Sequence, residues 1–247
     1  MLSDEELLRY SRQIMLPELD IAGQEALRNA NVLIAGVGGL GSPVALYLAA
    51  AGVGQLILAD HDRVDLSNLQ RQIAHGTGDI DRPKAQSAAE SIAELNPHCR
   101  TVVWDQKITP ANVNELVSGV SVIVDCSDNF ALRFLLNRVS VAQSIPLVSG
   151  AAIRMDGQLS VYDPRDPESP CYHCLFEETG EEDQTCSANG VLAPVVGMLG
   201  SMQAIETIKV ITAMGAPLVG RLLIVDALSM KIRDVKIKPN PNCKVCG

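Results

Sequence analysis

Three glycines and four cysteines carry the most explicit chemistry in this chain. Gly36, Gly38 and Gly41 lie in Gly36-Val37-Gly38-Gly39-Leu40-Gly41, the spacing G-x-G-x-x-G. The apolar run Val32–Ala35 precedes them and the Ala- and Leu-rich stretch Ser42–Ala51 follows. Strand, glycine turn and helix in that order make a phosphate cradle. Glycine lets the backbone turn sharply and come close to a phosphate, and the helix start offers free N–H groups and a positive dipole end. Asp60 ends the next apolar run, Gln55–Asp60, where a carboxylate can accept ribose hydroxyls. The motif implies a nucleotide without separating NAD from ATP. Its neighbours favour ATP, because Asn68-Leu69-Gln70-Arg71-Gln72 and then Lys84 follow. Arg71 and Lys84 are suited to neutralising a triphosphate, for which a dinucleotide oxidoreductase has little need. Asp128, just past Val122–Asp125, sits at the carboxyl end of a strand, where open sheets bind ligands. A carboxylate there suits Mg²⁺ or, equally, caps the helix that begins near Asn129. Taken singly, each of these charges also reads as a solvated surface group.

The cysteines form a second constellation. Cys171-Tyr-His-Cys174 and Cys243-Lys-Val-Cys246 are two C-x-x-C pairs, and four thiolates complete a closed tetrahedral zinc site. Their separation is too long for a zinc finger, so zinc here would staple the end of the chain to a distant segment. Free thiols or a redox pair are the alternatives, but neither pair opens a helix in a thioredoxin-like unit. His173 reads as a neighbour, since four cysteines suffice. Cys99 and Cys126 read as packing or surface residues. Cys186 lies in the polar stretch Gln184–Gly190; exposure favours a reactive thiolate, while the acids between Glu177 and Asp183 oppose it.

The elements that must position these residues follow from periodicity. Ser3 with Glu6 fits a capping box that opens an amphipathic helix to about Leu16, ended by Pro17. A short helical stretch covers Gln24–Arg28. After the first strand, turn, helix and strand, the pattern continues with a helix from Pro83 to about Leu95, a strand Thr101–Trp104, a helix Ala111–Val117, a strand Ser121–Asp125, a helix Phe130–Gln143 and a strand Leu147–Ser149. This alternation predicts a Rossmann-like open α/β sheet, mostly parallel, with helices on both faces. Beyond Gly150 come a strand Gln158–Tyr162, a long irregular stretch Asp163–Gly190 expected to be functional or mobile, a helix Pro194–Met214, and strands Arg221–Val225 and Lys231–Ile237 that extend the sheet antiparallel.

Composition bounds the function. The 247 residues suffice for one large domain, and 47% hydrophobic with 20% charged residues exclude wholesale disorder. A net charge of −9 argues against a nucleic-acid backbone as partner. Only 8 aromatics (3 Phe, 1 Trp, 4 Tyr) leave an aliphatic core. The N-terminus lacks the apolar core of a signal peptide, and the most apolar stretch, Val191–Met214, contains Gln203, Glu206 and Lys209, which argues against a membrane span. A cytoplasmic protein with reduced thiols is expected, so the odd total of 7 cysteines needs no disulfide framework.

Arg9-Tyr-Ser-Arg-Gln13, the glycine turn, Asp60-x-Asp62, Ser67-Asn-Leu-Gln-Arg-Gln72, Arg82-Pro-Lys84 and Asp125-Cys-Ser-Asp-Asn129 occur in order, followed by the two C-x-x-C pairs. Together they resemble the MoeB/ThiF/HesA family, the bacterial relatives of ubiquitin-activating enzymes, from the first helix to the final Cys-Gly. Val148–Gln158 and the ending Asn-Pro-Asn-Cys-Lys-Val-Cys-Gly are most similar to the MoeB branch, which serves molybdopterin synthase; Asp79–Lys84 also suits the ThiF branch of the thiamine pathway. The resemblance implies one domain over residues 1–247, with a nucleotide-binding half (1–150) and a carrier-binding half (151–247). It implies ATP-dependent adenylation of the Gly-Gly carboxylate of a ubiquitin-like sulfur carrier, with pyrophosphate release. Gly39 and Gly41 would approach the phosphates and Asp60 or Asp62 would hold the ribose. Asn68, Arg71, Gln72 and Lys84 would contact the triphosphate, and Asp128 would hold Mg²⁺. Arg12 would reach in from the other protomer of a homodimer. Cys186 matches a loop cysteine that in ThiF-like members bonds to the carrier. With no rhodanese-like segment after Gly247, a separate sulfur donor is implied. An NAD-dependent oxidoreductase and a non-enzymatic carrier scaffold are the rival readings; the first leaves Arg71, Lys84 and the cysteine pairs without a role.

Overall fold

The computed structural model describes residues 1–178 and 190–247. Eight strands form one sheet: β1 (Asn31–Ala35), β2 (Gln55–Ala59), β3 (Arg100–Trp104), β4 (Val122–Asp125), β5 (Leu147–Ile153), β6 (Asp156–Tyr162), β7 (Arg221–Asp226) and β8 (Lys231–Lys236). Their order is β3-β2-β1-β4-β5-β6-β7-β8. The first five strands in that order pair parallel, and β5 through β8 pair antiparallel. The central strands are continuous apolar runs because both faces are covered. Val32, Ile34, Leu56 and Leu58 enter one core, and Leu33, Ala35, Ile57 and Ala59 enter the other.

The first core lies beneath α3 (Asp20–Asn29), α4 (Gly41–Ala50), α5 (Lys84–Leu95) and α9 (Ala193–Thr212). The second lies beneath α6 (Val113–Leu116) and α7 (Phe130–Gln143). Helix α9 is long and apolar enough to cross a membrane by length and composition, but half of it is buried, against α4, β5 and β6. Its buried polar groups are partnered: Gln203 Nε2 donates to the Asp125 carbonyl (2.8 Å) and Glu206 Oε2 accepts from the Leu218 N–H (2.7 Å).

Several element limits differ from the sequence expectation. The first helix is divided into α1 (Asp4–Arg9) and α2 (Ser11–Ile14) at Tyr10, whose buried phenol oxygen accepts from Asn96 Nδ2 (2.8 Å). The capping box of Ser3 and Glu6 is present. Strand β5 runs on to Ile153 and turns into β6 through Arg154 (φ 55°), so the hairpin is longer than periodicity indicated. The stretch after Asp163 contains a short helix, α8 (Tyr172–Leu175), framed by the first cysteine pair. Cys186 and its polar neighbours fall outside the described residues.

Candidate nucleotide site and cysteine centre

The carboxyl ends of β1, β2 and β4 meet around the glycine turn. β1 lies at the point where strand order reverses, between β2 and β4, the place where open α/β sheets leave a crevice. Two glycines are demanded by the fold itself. Gly36 has φ +91°, and a Cβ on it would stand 2.9 Å from the Cys126 carbonyl oxygen. A Cβ on Gly41 would stand 1.9 Å from the Gly36 carbonyl oxygen, so the turn closes only with glycine there. Gly38 and Gly39 differ. Their added Cβ atoms would meet side chains only, Gln72 at 3.4 Å and Val196 at 3.2 Å. The fold leaves room over Gly38, and that room is what a phosphate approaching the N–H groups would use.

Asp60 is committed in part to holding this turn. Its Oδ2 accepts from the Val37 N–H (2.9 Å) and its Oδ1 from the Asp62 N–H (2.9 Å). A carboxylate keeps further acceptor capacity for hydroxyls beyond two such bonds. Asp62 is exposed and pairs with Lys84, Nζ to Oδ2 3.0 Å; the Lys84 side chain is only 8% exposed. Lys84 also donates its N–H to the Asp62 carbonyl (2.9 Å), so main chain and side chain together lock the start of α5 to the end of β2. Burial of an ammonium needs a partner, and Asp62 supplies it.

The segment between them carries three more expected residues, of which Arg71 and Gln72 reach the turn. Asn68 closes a 3₁₀ turn (Leu66–Asn68) capped by Asp65, and Arg71 Nη1 donates to the Ser67 carbonyl (3.2 Å). The Arg71 Cδ would lie 3.5 Å from a Cβ on Gly39. Gln72 is buried with its Oε1 unpartnered, an orphaned acceptor that a bound ligand or water could satisfy. Asp128 is exposed beyond β4. The capping of α7 falls to Asn129, whose Oδ1 accepts from the Leu132 N–H (2.8 Å), which leaves the Asp128 carboxylate without that task. Arg12 stands exposed on α2, which packs against α3 and α1 rather than on the turn.

Two residues that periodicity did not single out support the site. Arg133 is buried on α7 and donates Nη2 to the Ser127 carbonyl (2.5 Å). Burial pulls its guanidinium pKa down, but Asp125, Tyr172 and Asp128 together outweigh this and the value is raised. His75, also buried, places Nε2 3.3 Å from the Val37 carbonyl and Nδ1 2.9 Å from Ser87 Oγ. Its burial holds the imidazole pKa below the ordinary range. Arg133 sits four residues into α7, a spacing visible in the sequence; a lone histidine in a polar run carries no such signal.

The four cysteines converge as spacing required. Cys171 Sγ lies 3.7 Å from Cys243 Sγ and 3.9 Å from Cys174 Sγ, and Cys174 Sγ lies 3.4 Å from Cys246 Sγ. All four sulfurs fall within 4.8 Å of one another. Bonds of about 2.3 Å to a tetrahedral zinc place sulfurs about 3.8 Å apart, so the cluster has the dimensions of a Cys₄ metal site. Outer hydrogen bonds are in place too: the Asn240 N–H points to Cys174 Sγ (3.4 Å) and Asn137 Nδ2 to Cys171 Sγ (3.6 Å). Burial raises the Cys243 thiol, yet N–H groups of Cys246 and Val245 bring it down to about 7. Phe134 (5.3 Å) and Phe176 (4.5 Å) pack on the Tyr172 ring between the first two ligands. Cys99 is pushed up to about 12 by burial, and burial holds Cys126 well above its ordinary value, so both are inert packing thiols.

A strand, glycine turn and helix together with a Cys₄ cluster on one mixed sheet define a class, and comparison with known proteins gives it a name: the chain belongs to the ThiF family, whose model matches residues 10–245. It is 45% identical over 246 residues to the molybdopterin-synthase adenylyltransferase of Salmonella typhimurium, covering 100% of this chain and 98% of that protein. It is 42% identical over 246 residues to the sulfur carrier protein ThiS adenylyltransferase of Escherichia coli, covering 100% and 97%. Among solved structures, E. coli MccB with MccA-N7isoASN matches with a TM-score of 0.86 at 24% identity, covering 100% of this chain and 75% of that one, a likeness of fold.

Proposed function

We propose that this protein adenylates the C-terminal Gly-Gly carboxylate of a ubiquitin-like sulfur carrier, the carrier of molybdopterin synthase, consuming ATP and releasing pyrophosphate. The observation that carries the reading is the meeting of the glycine turn, Asp60 and the buried Lys84 at the reversal point of the sheet. Full-length identity to enzymes named adenylyltransferases supports it. Family membership leaves the oxidoreductase reading without support.

The carrier carboxylate is already ionised at neutral pH, so the attack on the α-phosphate needs no general base. Catalysis rests on alignment and on neutralising charge that shifts toward the leaving pyrophosphate. The N–H groups around Gly38, Gly39 and Gly41 cradle phosphate oxygens. Asp60 or Asp62 receives the ribose hydroxyls. Lys84, Arg71, Asn68 and Gln72 line the triphosphate, and Arg12 of the partner subunit in a homodimer adds a further cation. Asp128 is the residue that would hold Mg²⁺, which supplies charge neutralisation and keeps the phosphates in register. Cys171, Cys174, Cys243 and Cys246 would hold Zn²⁺ as a structural centre in the carrier-binding half, residues 151–247. Such a thiolate site suits a reducing cytoplasm, and a separate donor delivers the sulfur.

Intact-mass measurement tests the reading: the carrier incubated with ATP, Mg²⁺ and this protein should gain the mass of an adenylyl group (AMP less water), while a carrier lacking its last glycine should not. A carrier of unchanged mass under saturating ATP would sink the proposal. The ThiF-type alternative, favoured by the 42% identity to the ThiS adenylyltransferase, predicts that the thiamine-pathway carrier is modified instead.

A further inference from the structure

The Val37 peptide lies at the centre of the glycine turn and is held from several sides. Its N–H donates to Asp60 Oδ2 (2.9 Å), and its carbonyl accepts from Ser42 Oγ (3.1 Å) and faces His75 Nε2 at 3.3 Å. A carbonyl only accepts, so Nε2 must carry the hydrogen; in the neutral imidazole Nδ1 then accepts from the Ser87 hydroxyl at 2.9 Å. Ser87 belongs to α5, and α5 begins at Lys84. The imidazole therefore bridges the turn that offers N–H groups and the helix that offers the ammonium. Lys84, Asp60 and Asp79 are the charged groups that act on it. The same segment carries Arg71 and Gln72, four and three residues before the histidine, so its anchoring also sets where those side chains stand.

We infer that His75 is a positioning residue, which fixes the spacing between the glycine turn and Lys84 and so sets the geometry in which a triphosphate is held. The inference rests on the adenylation reading for its ligand, but nucleotide binding tests it without turnover. Positioning errors near 1 Å at a reacting phosphate cost up to about a hundredfold in rate, and binding is affected less. Gln can return the lost donor, because its Nε2 lies at about the reach of the imidazole Nε2. Met fills the space and returns nothing.

The test measures ATP binding by calorimetry and, separately, ATP–pyrophosphate exchange with the carrier, in wild type, His75→Met, His75→Gln and Ser87→Ala. The expected result is ATP affinity weakened about tenfold in His75→Met, turnover at saturating ATP reduced further, and an unchanged KM for the carrier. His75→Gln should recover most of both, and Ser87→Ala should fall between. If His75→Met does not fold, Ser87→Ala against wild type decides. Wild-type ATP affinity and turnover in His75→Met, or in Ser87→Ala where it decides, would overturn the inference. A loss that Gln fails to restore would reduce His75 to a packing residue and overturn it equally. Absence of exchange in wild type would strike the adenylation reading instead, and the calorimetric comparison would still decide the role of His75.

Discussion

At the scale of single residues, the titration of His75 is the most direct consequence of its burial. The pKa of the folded protein lies below the ordinary value because the low-dielectric surroundings disfavour the imidazolium. As pH falls through about 6.5 the unfolded chain takes up a proton at this histidine while the folded chain does not. The unfolded state then binds more protons, so stability contributed here is present above that pH and lost below it. Urea unfolding followed from pH 7.5 to 5 should therefore show a shallower acid loss in His75→Gln than in wild type; identical slopes would contradict the burial argument. Residue types alone located most of the candidate site, because glycine spacing, an acid ending a strand and paired cysteines are local signals. His75 escaped because its partners, Val37 and Ser87, lie far away in the chain and nothing in its own neighbourhood marks it. Sequence left Asp128 open as metal ligand or cap of α7, and the cap fell one residue on, at Asn129, because adjacent residues of similar propensity are separated only by the backbone conformation they meet.

At the scale of elements, the two halves of the glycine motif do different work. Gly36 and Gly41 let the turn close, while a Cβ on Gly38 would make only ordinary contact with the Gln72 side chain. Gly41→Ala should drive a methyl into the Gly36 carbonyl, destabilising by about 2 kcal/mol or more and lowering Tm by about 4–8 °C. Gly38→Ala should leave Tm within about 2 °C of wild type and weaken ATP binding about tenfold or more. Thermal melts and calorimetry on the pair check this; equal losses of Tm would contradict the division of labour. The parallel strands were legible because burial on both faces makes them unbroken apolar runs. Elements limited by tertiary contacts were not. The break at Tyr10 depends on a hydrogen bond to Asn96, and the β5–β6 turn depends on Arg154 adopting a left-handed conformation. The helix within the cysteine-bearing stretch has only 4 residues, too few for periodicity to register.

At the scale of the whole molecule, the cysteine centre ties the last residues of the chain to α8 beside the antiparallel half of the sheet. Metal at four thiolates contributes folding free energy, so Cys243→Ser should release about one zinc per chain and cost about 3 kcal/mol or more. Metal analysis with melting curves checks it, and a metal-free wild type of unchanged stability would count against the staple. The acidic net charge of −9 is compatible with a nucleotide because Arg71 lies by the glycine turn and Lys84 stands paired with Asp62 at the end of the next strand, two cations within an otherwise acidic protein. Few aromatics were expected to leave an aliphatic core. They do so in the first core, whereas Phe134, Tyr162 and Tyr172 enter the second and, with Phe130 and Phe176, gather beside the cysteine centre, a clustering that composition could not reveal. The central claim is that a carrier's terminal carboxylate and ATP react at the glycine turn. ATP–pyrophosphate exchange tests it most directly: label should pass from pyrophosphate into ATP only when a carrier ending in Gly-Gly is present, and Asp128→Ala should abolish the exchange while leaving Tm unchanged. Exchange that proceeds without any carrier, or none with either the molybdopterin or the thiamine carrier, would contradict the account.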